Sequence, residues 1–173
     1  MLGGELVPYR VAVLTVSDKG SLGERVDTAG PALAALARDG GNEVTATAVV
    51  PDVRATIADR LRSWADSHAA DVILTTGGTG LAPRDVTPEA TLDVGERLVP
   101  GLAELMREEG RKSTHLSSLS RSVAVVRGRT LIVNLPGSEK GAVESLQAIL
   151  ELLPHAIELL QGDARERHPV DRV

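Results

Sequence analysis

Residues 71–90, DVILTTGGTGLAPRDVTPEA, constrain this chain more than any other stretch. The apolar, β-branched run that ends at Thr76 empties into Gly77-Gly78-Thr79-Gly80, the pattern of a buried strand feeding a tight loop. Thr87-Pro88-Glu89 then supplies a capping hydroxyl, a proline suited to the first helical position and an acid for the first turn, so a helix is expected from near residue 87. Between strand and helix lie three glycines whose backbone admits a ligand closely, followed by Arg84 and Asp85. Exposed amides and a helix N-terminus attract phosphate, and a neighbouring carboxylate can hold the magnesium that accompanies it. Neither G-x-G-x-x-G nor G-x-x-x-x-G-K-[ST] occurs, so the two common nucleotide fingerprints are absent. Spacing alone leaves a structural turn and a phosphate cradle equally open.

The remaining chain alternates strands with helices. Strands are expected at residues 10–17, 42–50 and 71–76, and a hairpin at 123–126 and 130–135 about Arg127-Gly128-Arg129. A helix capped near Asp27 presents Leu33, Leu36 and Ala37 and stops at Gly40-Gly41, and another, to about His68, presents Ile57, Leu61 and Trp64. A third runs from Thr87 to about Leu98, and a fourth carries Leu102, Leu105 and Met106. After the polar residues 111–122, a long segment opens at Pro136-Gly137-Ser138 with Val143, Leu146, Leu150 and Leu153 inward; Pro154 resets it and a last helix ends at Gly162. This order predicts a three-layer αβα sandwich, with a mostly parallel sheet and one antiparallel strand. The expected division is a lead-in at 1–9, a single domain at 10–162 and a charged tail at 163–173. Ligands of such sheets bind at the carboxyl ends of the strands, which here puts residues 17–23, 50–52, 76–87 and 136–140 on one rim.

Composition removes several functional classes. The 173 residues include no cysteine, which excludes disulfides and thiolate metal sites, and no phenylalanine, so Val, Leu, Ile and Ala must fill the core. A net charge of −5, no basic run and almost no aromatic residues argue against nucleic-acid binding. No apolar span or basic leader is visible, so a cytoplasmic protein without membrane contact is expected. The four histidines are scattered without zinc-ligand spacing, and no G-x-S-x-G elbow is present. Lys19, Arg84, Arg121 and Lys140 stand in or beside loops, where each taken singly reads as a solvated surface residue.

Three acids fall on the expected rim. Asp52, just before Val53, reads from its position as a cap of the next helix, worth about 1 kcal/mol. Asp85 stands two residues ahead of the expected cap, where the capping reading is weaker. Asp18 reads equally as a turn former. Ser138 reads as a cap with Lys140 in the first turn of its helix.

LTVSD at 14–18, VVPD at 49–52, TTGGTG at 75–80, RDVTPEAT at 84–91, PGLAELMR at 100–107, LSRS at 119–122 and NLPGSEK at 134–140 follow one another in the order of a known pattern. Together they resemble the molybdopterin adenylyltransferase family of MogA/MoaB-type molybdenum cofactor biosynthesis proteins. The resemblance implies a cytoplasmic homotrimer or hexamer that adenylylates molybdopterin with Mg²⁺ and ATP, releases pyrophosphate and passes its product to a molybdenum-insertion protein. It implies catalytic, Mg²⁺-linked roles for Asp52 and Asp85. It also implies a nucleotide and pterin pocket from Thr15, Ser17, Asp18, Thr76, Gly77, Gly78, Thr79, Gly80 and Arg84, with Asn134, Pro136, Gly137, Ser138 and Lys140, and Ser120 on the pterin side. Ala29 stands where the family usually has serine, and Glu139 and Gly141 where proline and alanine often flank the lysine. Two other readings remain: a non-catalytic pterin-binding oligomer, and a nucleotide pyrophosphatase of the competence-associated family.

Overall fold

A computed structural model describes residues 7–162; the expected tail and most of the lead-in lie outside the described residues. The strands are β1 (Arg10–Val16), β2 (Glu43–Val50), β3 (Val72–Thr76), β4 (Arg97–Leu98), β5 (Ala124–Arg127) and β6 (Thr130–Leu135). The helices are α1 (Asp18–Ser21), α2 (Ala29–Asp39), α3 (Arg54–Asp66), α4 (Thr87–Val94), α5 (Pro100–Ser113), α6 (Glu139–Ile149) and α7 (Leu153–Gln161), with 3₁₀ turns at His115–Leu119 and Leu150–Leu152. The sheet order is β2-β1-β3-β6-β5-β4. Strands β2, β1, β3 and β6 are parallel, and β5 runs antiparallel to both of its neighbours.

Side chains alternate across this sheet and divide the core in two. Val11 and Val13 of β1, Val72 and Leu74 of β3, and Leu131, Val133 and Leu135 of β6 face Leu33 of α2, Leu102 and Met106 of α5, Leu146 and Ile149 of α6, and Leu153 and Ile157 of α7. Ala12, Leu14 and Val16, with Ile73 and Ile132, face Ile57, Leu61 and Trp64 of α3 and Ala90 and Val94 of α4. The three-layer sandwich with one reversed strand therefore stands as the alternation predicts. Strand β2 alternates exposed and half-buried residues because it lies at an edge.

Three local expectations change. Helix α4 ends at Val94 rather than near Leu98, because Gly95 turns extended and lies so close to β5 that a Cβ there would come within 2.7 Å of the Val125 side chain. Arg97 and Leu98 then pair with β5. The Thr87 hydroxyl does not cap α4; it is buried and donates to the Gly77 carbonyl at 2.8 Å. The inner face of α6 carries Ala142, Leu146 and Ile149, and Val143 is only half-buried.

Candidate active site

Because β1, β2, β3 and β6 are parallel, the loops that follow them emerge on one rim, as the sequence implies. Two glycine turns meet there. Gly77 (φ +100°) and Gly78 (φ +65°) occupy backbone conformations that favour glycine. A Cβ on Gly77 would fall 2.2 Å from the Val16 carbonyl oxygen, and one on Gly137 would fall 3.2 Å from the Gly77 Cα. The Thr76 hydroxyl donates to the Pro136 carbonyl at 2.6 Å and the Gly77 N–H to the Leu135 carbonyl at 3.3 Å, locking the β3 loop to the β6 loop.

Beside these turns lies a cleft of about 390 Å³. Of the residues singled out by sequence, Thr15, Ser17, Asp52, Thr76, Gly77, Gly78, Gly137 and Ser138 line it. Ser17 caps α1 by accepting from the Gly20 N–H at 3.0 Å, and Ser138 caps α6 by accepting from the Gly141 N–H at 3.2 Å. Residues 25–29 complete the lining. There Asp27 receives the Thr15 hydroxyl at 2.6 Å on one carboxylate oxygen and the Gly30 N–H at 3.0 Å on the other. Its sequence neighbourhood suggests only a cap; the bond to Thr15 had no local signal.

Asp52 does not cap α3. Its Oδ2 accepts the Asp18 N–H at 2.7 Å while the Asp52 N–H donates to Asp18 Oδ1 at 2.9 Å, a reciprocal pair joining the β1 and β2 loops. Its Oδ1 lies against Gly78, 3.2 Å from where a Cβ would be. Burial pushes the Asp52 carboxyl above the ordinary range; the Asp18 N–H pulls it down, and the negative charges of Asp18 and Asp85 push it up. Asp18 is held below that range, chiefly by Arg84, whose Nε and Nη2 both donate to Asp18 Oδ2. Asp85 stands on the outer side of the same glycine turn, beyond the cleft lining, with Oδ2 accepting the Ala82 N–H at 3.0 Å and lying 2.8 Å from a Cβ built on Gly80. The two acids, from separate loops, thus lie against one glycine turn.

The other sequence-selected residues divide. Thr79 is buried, and its carbonyl accepts the Arg121 N–H at 2.9 Å. Ser120 donates to the Ser122 hydroxyl at 3.0 Å, away from the cleft lining. Asn134 is fully buried, and its amide donates to the hydroxyls of Thr75 and Thr91 at 2.9 and 2.8 Å, a tie between β6, β3 and α4 that leaves no face toward the cleft. Lys140 is exposed, its ammonium 3.8 Å from Glu144 one turn along α6. Arg121, which reads as solvated in the sequence, spans the β3 loop and pairs with Glu89, whose carboxyl it holds below the ordinary range.

A sequence profile described as a probable molybdopterin binding domain matches residues 12–155. The chain belongs to this molybdopterin-binding family. Its relatives include "Molybdopterin adenylyltransferase" of Helicobacter pylori J99, 37% identical with 88% of each chain covered, and the protein of the same name from Escherichia coli K12, 36% identical over 92% of this chain and 89% of that one. The Drosophila melanogaster "Molybdenum cofactor synthesis protein cinnamon" is 45% identical, and there the chain spans a quarter of the relative's length. Among solved structures, a molybdopterin biosynthesis enzyme MoaB from Thermus thermophilus is 58% identical over 89% of this chain and 97% of that one, with a TM-score of 0.84. A CinA structure from Thermoplasma acidophilum, 17% identical with a TM-score of 0.64 over 84% of this chain and 98% of that one, shares the fold alone.

The donor set of this family member suits magnesium in one respect. Asp52 and Asp85 carry hard oxygen donors, each with one carboxylate oxygen engaged by a backbone N–H, and both lie against the Gly77–Gly80 turn. Magnesium is commonly held by one or two carboxylates together with substrate phosphates. Among the described residues no group of three or more His, Cys, Asp or Glu side chains is placed to hold a metal by itself, so phosphate oxygens would complete the shell.

Proposed function

We propose that this chain is a molybdopterin adenylyltransferase that moves AMP from ATP to the terminal phosphate of molybdopterin. The observation that carries the reading is that Asp52, in the lining of the cleft of about 390 Å³, and Asp85, just outside that lining, both lie against the Gly77–Gly80 turn, at Gly78 and Gly80 respectively. An oxygen of the pterin phosphate forms a bond to the α-phosphorus of ATP, and the bond from that phosphorus to the β-bridging oxygen breaks to release pyrophosphate. A phosphate monoester carries nearly two negative charges at neutral pH and needs no general base. The obstacle is the approach of two polyanions, which fixed donors and close positioning reduce.

In this reading the amides of Gly78 and Gly137 and the start of α6 hold phosphate oxygens, the Gly77 amide being engaged by the Leu135 carbonyl, and Ser17 and Thr76 border them. Asp52 and Asp85 would hold Mg²⁺, which supplies charge neutralisation to the triphosphate. The Asp18–Asp52 pair holds the first acid in place, and Arg84, paired with Asp18 in this structure, would turn its guanidinium to a phosphate. Ser120 would meet the pterin side. Assembly as a homotrimer or hexamer, a cytoplasmic setting and delivery to a molybdenum-insertion protein belong to the same proposal; no helix among the described residues is long and apolar enough to cross a membrane.

The test is Mg²⁺-dependent pyrophosphate release from ATP in the presence of molybdopterin. Asp85→Asn is expected to retain the fold and lose about 10²–10³ in turnover, the scale of a lost transition-state electrostatic contact. Pterin binding without pyrophosphate release would establish a non-catalytic binder instead, and hydrolysis of ADP-ribose would establish a pyrophosphatase.

A further inference from the structure

Residues 81–84, which lead into the half-buried Asp85, are exposed. Leu81 is 66% exposed and the Arg84 side chain 63%. The internal bonds of this segment are few: the Asp85 N–H to the Ala82 carbonyl at 2.9 Å and the Ala82 N–H to Asp85 Oδ2. What grips its two ends is a residue more than thirty positions away. Arg121 Nε donates to the Gly80 carbonyl at 2.7 Å and Nη2 to the Asp85 carbonyl at 2.5 Å, while Nη1 pairs with Glu89 in the first turn of α4. The Arg121 N–H also donates to the Thr79 carbonyl at 2.9 Å.

We propose that Arg121 is a positioning residue for Asp85, stapling both ends of the acid-bearing turn and tying it to the serine segment at 115–122. The planar guanidinium is suited to this because one rigid fork reaches two carbonyls and a carboxylate together; a lysine ammonium is a point charge on a flexible stem and cannot reproduce the spread. The serine segment is itself fixed to α5, where Arg107 Nη1 donates to the Ser122 carbonyl at 3.1 Å. A ligand that displaces Ser120 or its neighbours therefore moves the backbone that sets Asp85, and the two substrate sides communicate through one side chain.

This inference rests on the adenylyl-transfer reading, so its test has an arm that does not need turnover. Arg121→Lys and Arg121→Ala are compared with the wild type by hydrogen exchange over residues 80–85, by kcat and KM for ATP in the pyrophosphate assay, and by addition of millimolar guanidinium. The expected result is faster exchange at 80–85 in both variants, a fall of tenfold or more in kcat that exceeds any change in KM, and partial recovery of Arg121→Ala, but not of Asp85→Asn, on adding guanidinium. A purely structural role would lower the melting temperature while leaving exchange at 80–85 in step with the rest of the chain. Wild-type exchange at 80–85 in Arg121→Lys overturns the inference, whether or not the enzyme turns over. A wild-type chain that releases no pyrophosphate overturns the adenylyl-transfer reading, and the exchange comparison then decides the positioning role separately.

Discussion

Replacing Gly77 by alanine should damage this protein far more than the same change at Gly128, although both residues have positive φ. Gly128 (φ +55°) sits in the β5–β6 hairpin with no atom within 4 Å of a built Cβ. Gly128→Ala therefore carries only left-handed backbone strain of about 1–2 kcal/mol. At Gly77 (φ +100°) the strained conformation costs about 1–3 kcal/mol, and the new methyl would meet a backbone oxygen, Val16 O, at 2.2 Å. Backbone cannot rotate aside as a side chain can, so β1 and β3 must separate at their carboxyl ends, at a further cost of about 1–3 kcal/mol on the scale of overpacking. The sum is about 2–6 kcal/mol. For a chain of this size each kcal/mol moves Tm by about 2–4 °C, so Gly77→Ala should melt about 4–24 °C below the wild type and Gly128→Ala about 2–8 °C below. The assay is calorimetry at one fixed protein concentration, since association would shift Tm. Because the displaced Val16 carbonyl precedes Ser17, pyrophosphate release should fall by about 10² as well. If the two alanine variants melt within about 1 °C of each other, the close approach of the β1 and β3 ends does not govern this rim.

Asp52→Asn should abolish at least about 10² of the activity yet raise Tm at neutral pH. The Asp52 carboxyl is pushed above its unfolded value, so its ionisation opposes folding and that cost appears as pH rises through the folded pKa; differential scanning fluorimetry near pH 7 and near pH 4 should show the gain only at the higher pH, and a lower Tm at pH 7 would contradict the burial argument. Asp71 behaves oppositely. Burial alone would raise it, but the Arg10 N–H and guanidinium, at 2.8 Å, hold it below the ordinary range, so its stabilisation is full above the unfolded pKa and is lost as pH falls through the folded one. Urea melts of Asp71→Asn should be weaker than wild type at pH 6 and should lose less between about pH 4 and pH 2; parallel acid limbs would refute this. Asn134→Ala strands the hydroxyls of Thr75 and Thr91 in a dry core and should cost about 2–4 kcal/mol in chemical denaturation, whereas a loss under roughly 0.5 kcal/mol, the scale of a surface substitution, would show the network to be dispensable.

The sandwich was legible because two periodicities survive in the sequence. Val11 and Val13 alternate with Ala12 and Leu14, and Ile57, Leu61 and Trp64 recur at helical spacing; each set reached the layer its period implies. Strand β4 was not legible, since two residues carry no period and its formation depends on Gly95 meeting Val125. The rim loops were readable from strand ends, but not the side-chain partnerships on them. Asp52 looks like a cap to any local rule, because its partner Asp18 is 34 positions away, and Thr87 looks like one until Gly77 is folded beneath it. Arg121 looks solvated for the same reason: its acceptors at Gly80 and Asp85 lie 41 and 36 positions back.

Strand β5 has a consequence for architecture that a fully parallel arrangement would not share. In a parallel sheet each strand delivers one loop to the carboxyl rim, the one that follows it, and the preceding loop lies at the far end of the molecule. Because β5 runs backward, Ala124 sits opposite Val133, so the chain enters β5 and leaves β6 on the same rim. A single tight hairpin thereby carries both the arginine-bearing segment and the Pro136–Gly137 turn, like two prongs on one short handle. Any sliding of that hairpin along β3 would shift both prongs together, keeping their separation constant.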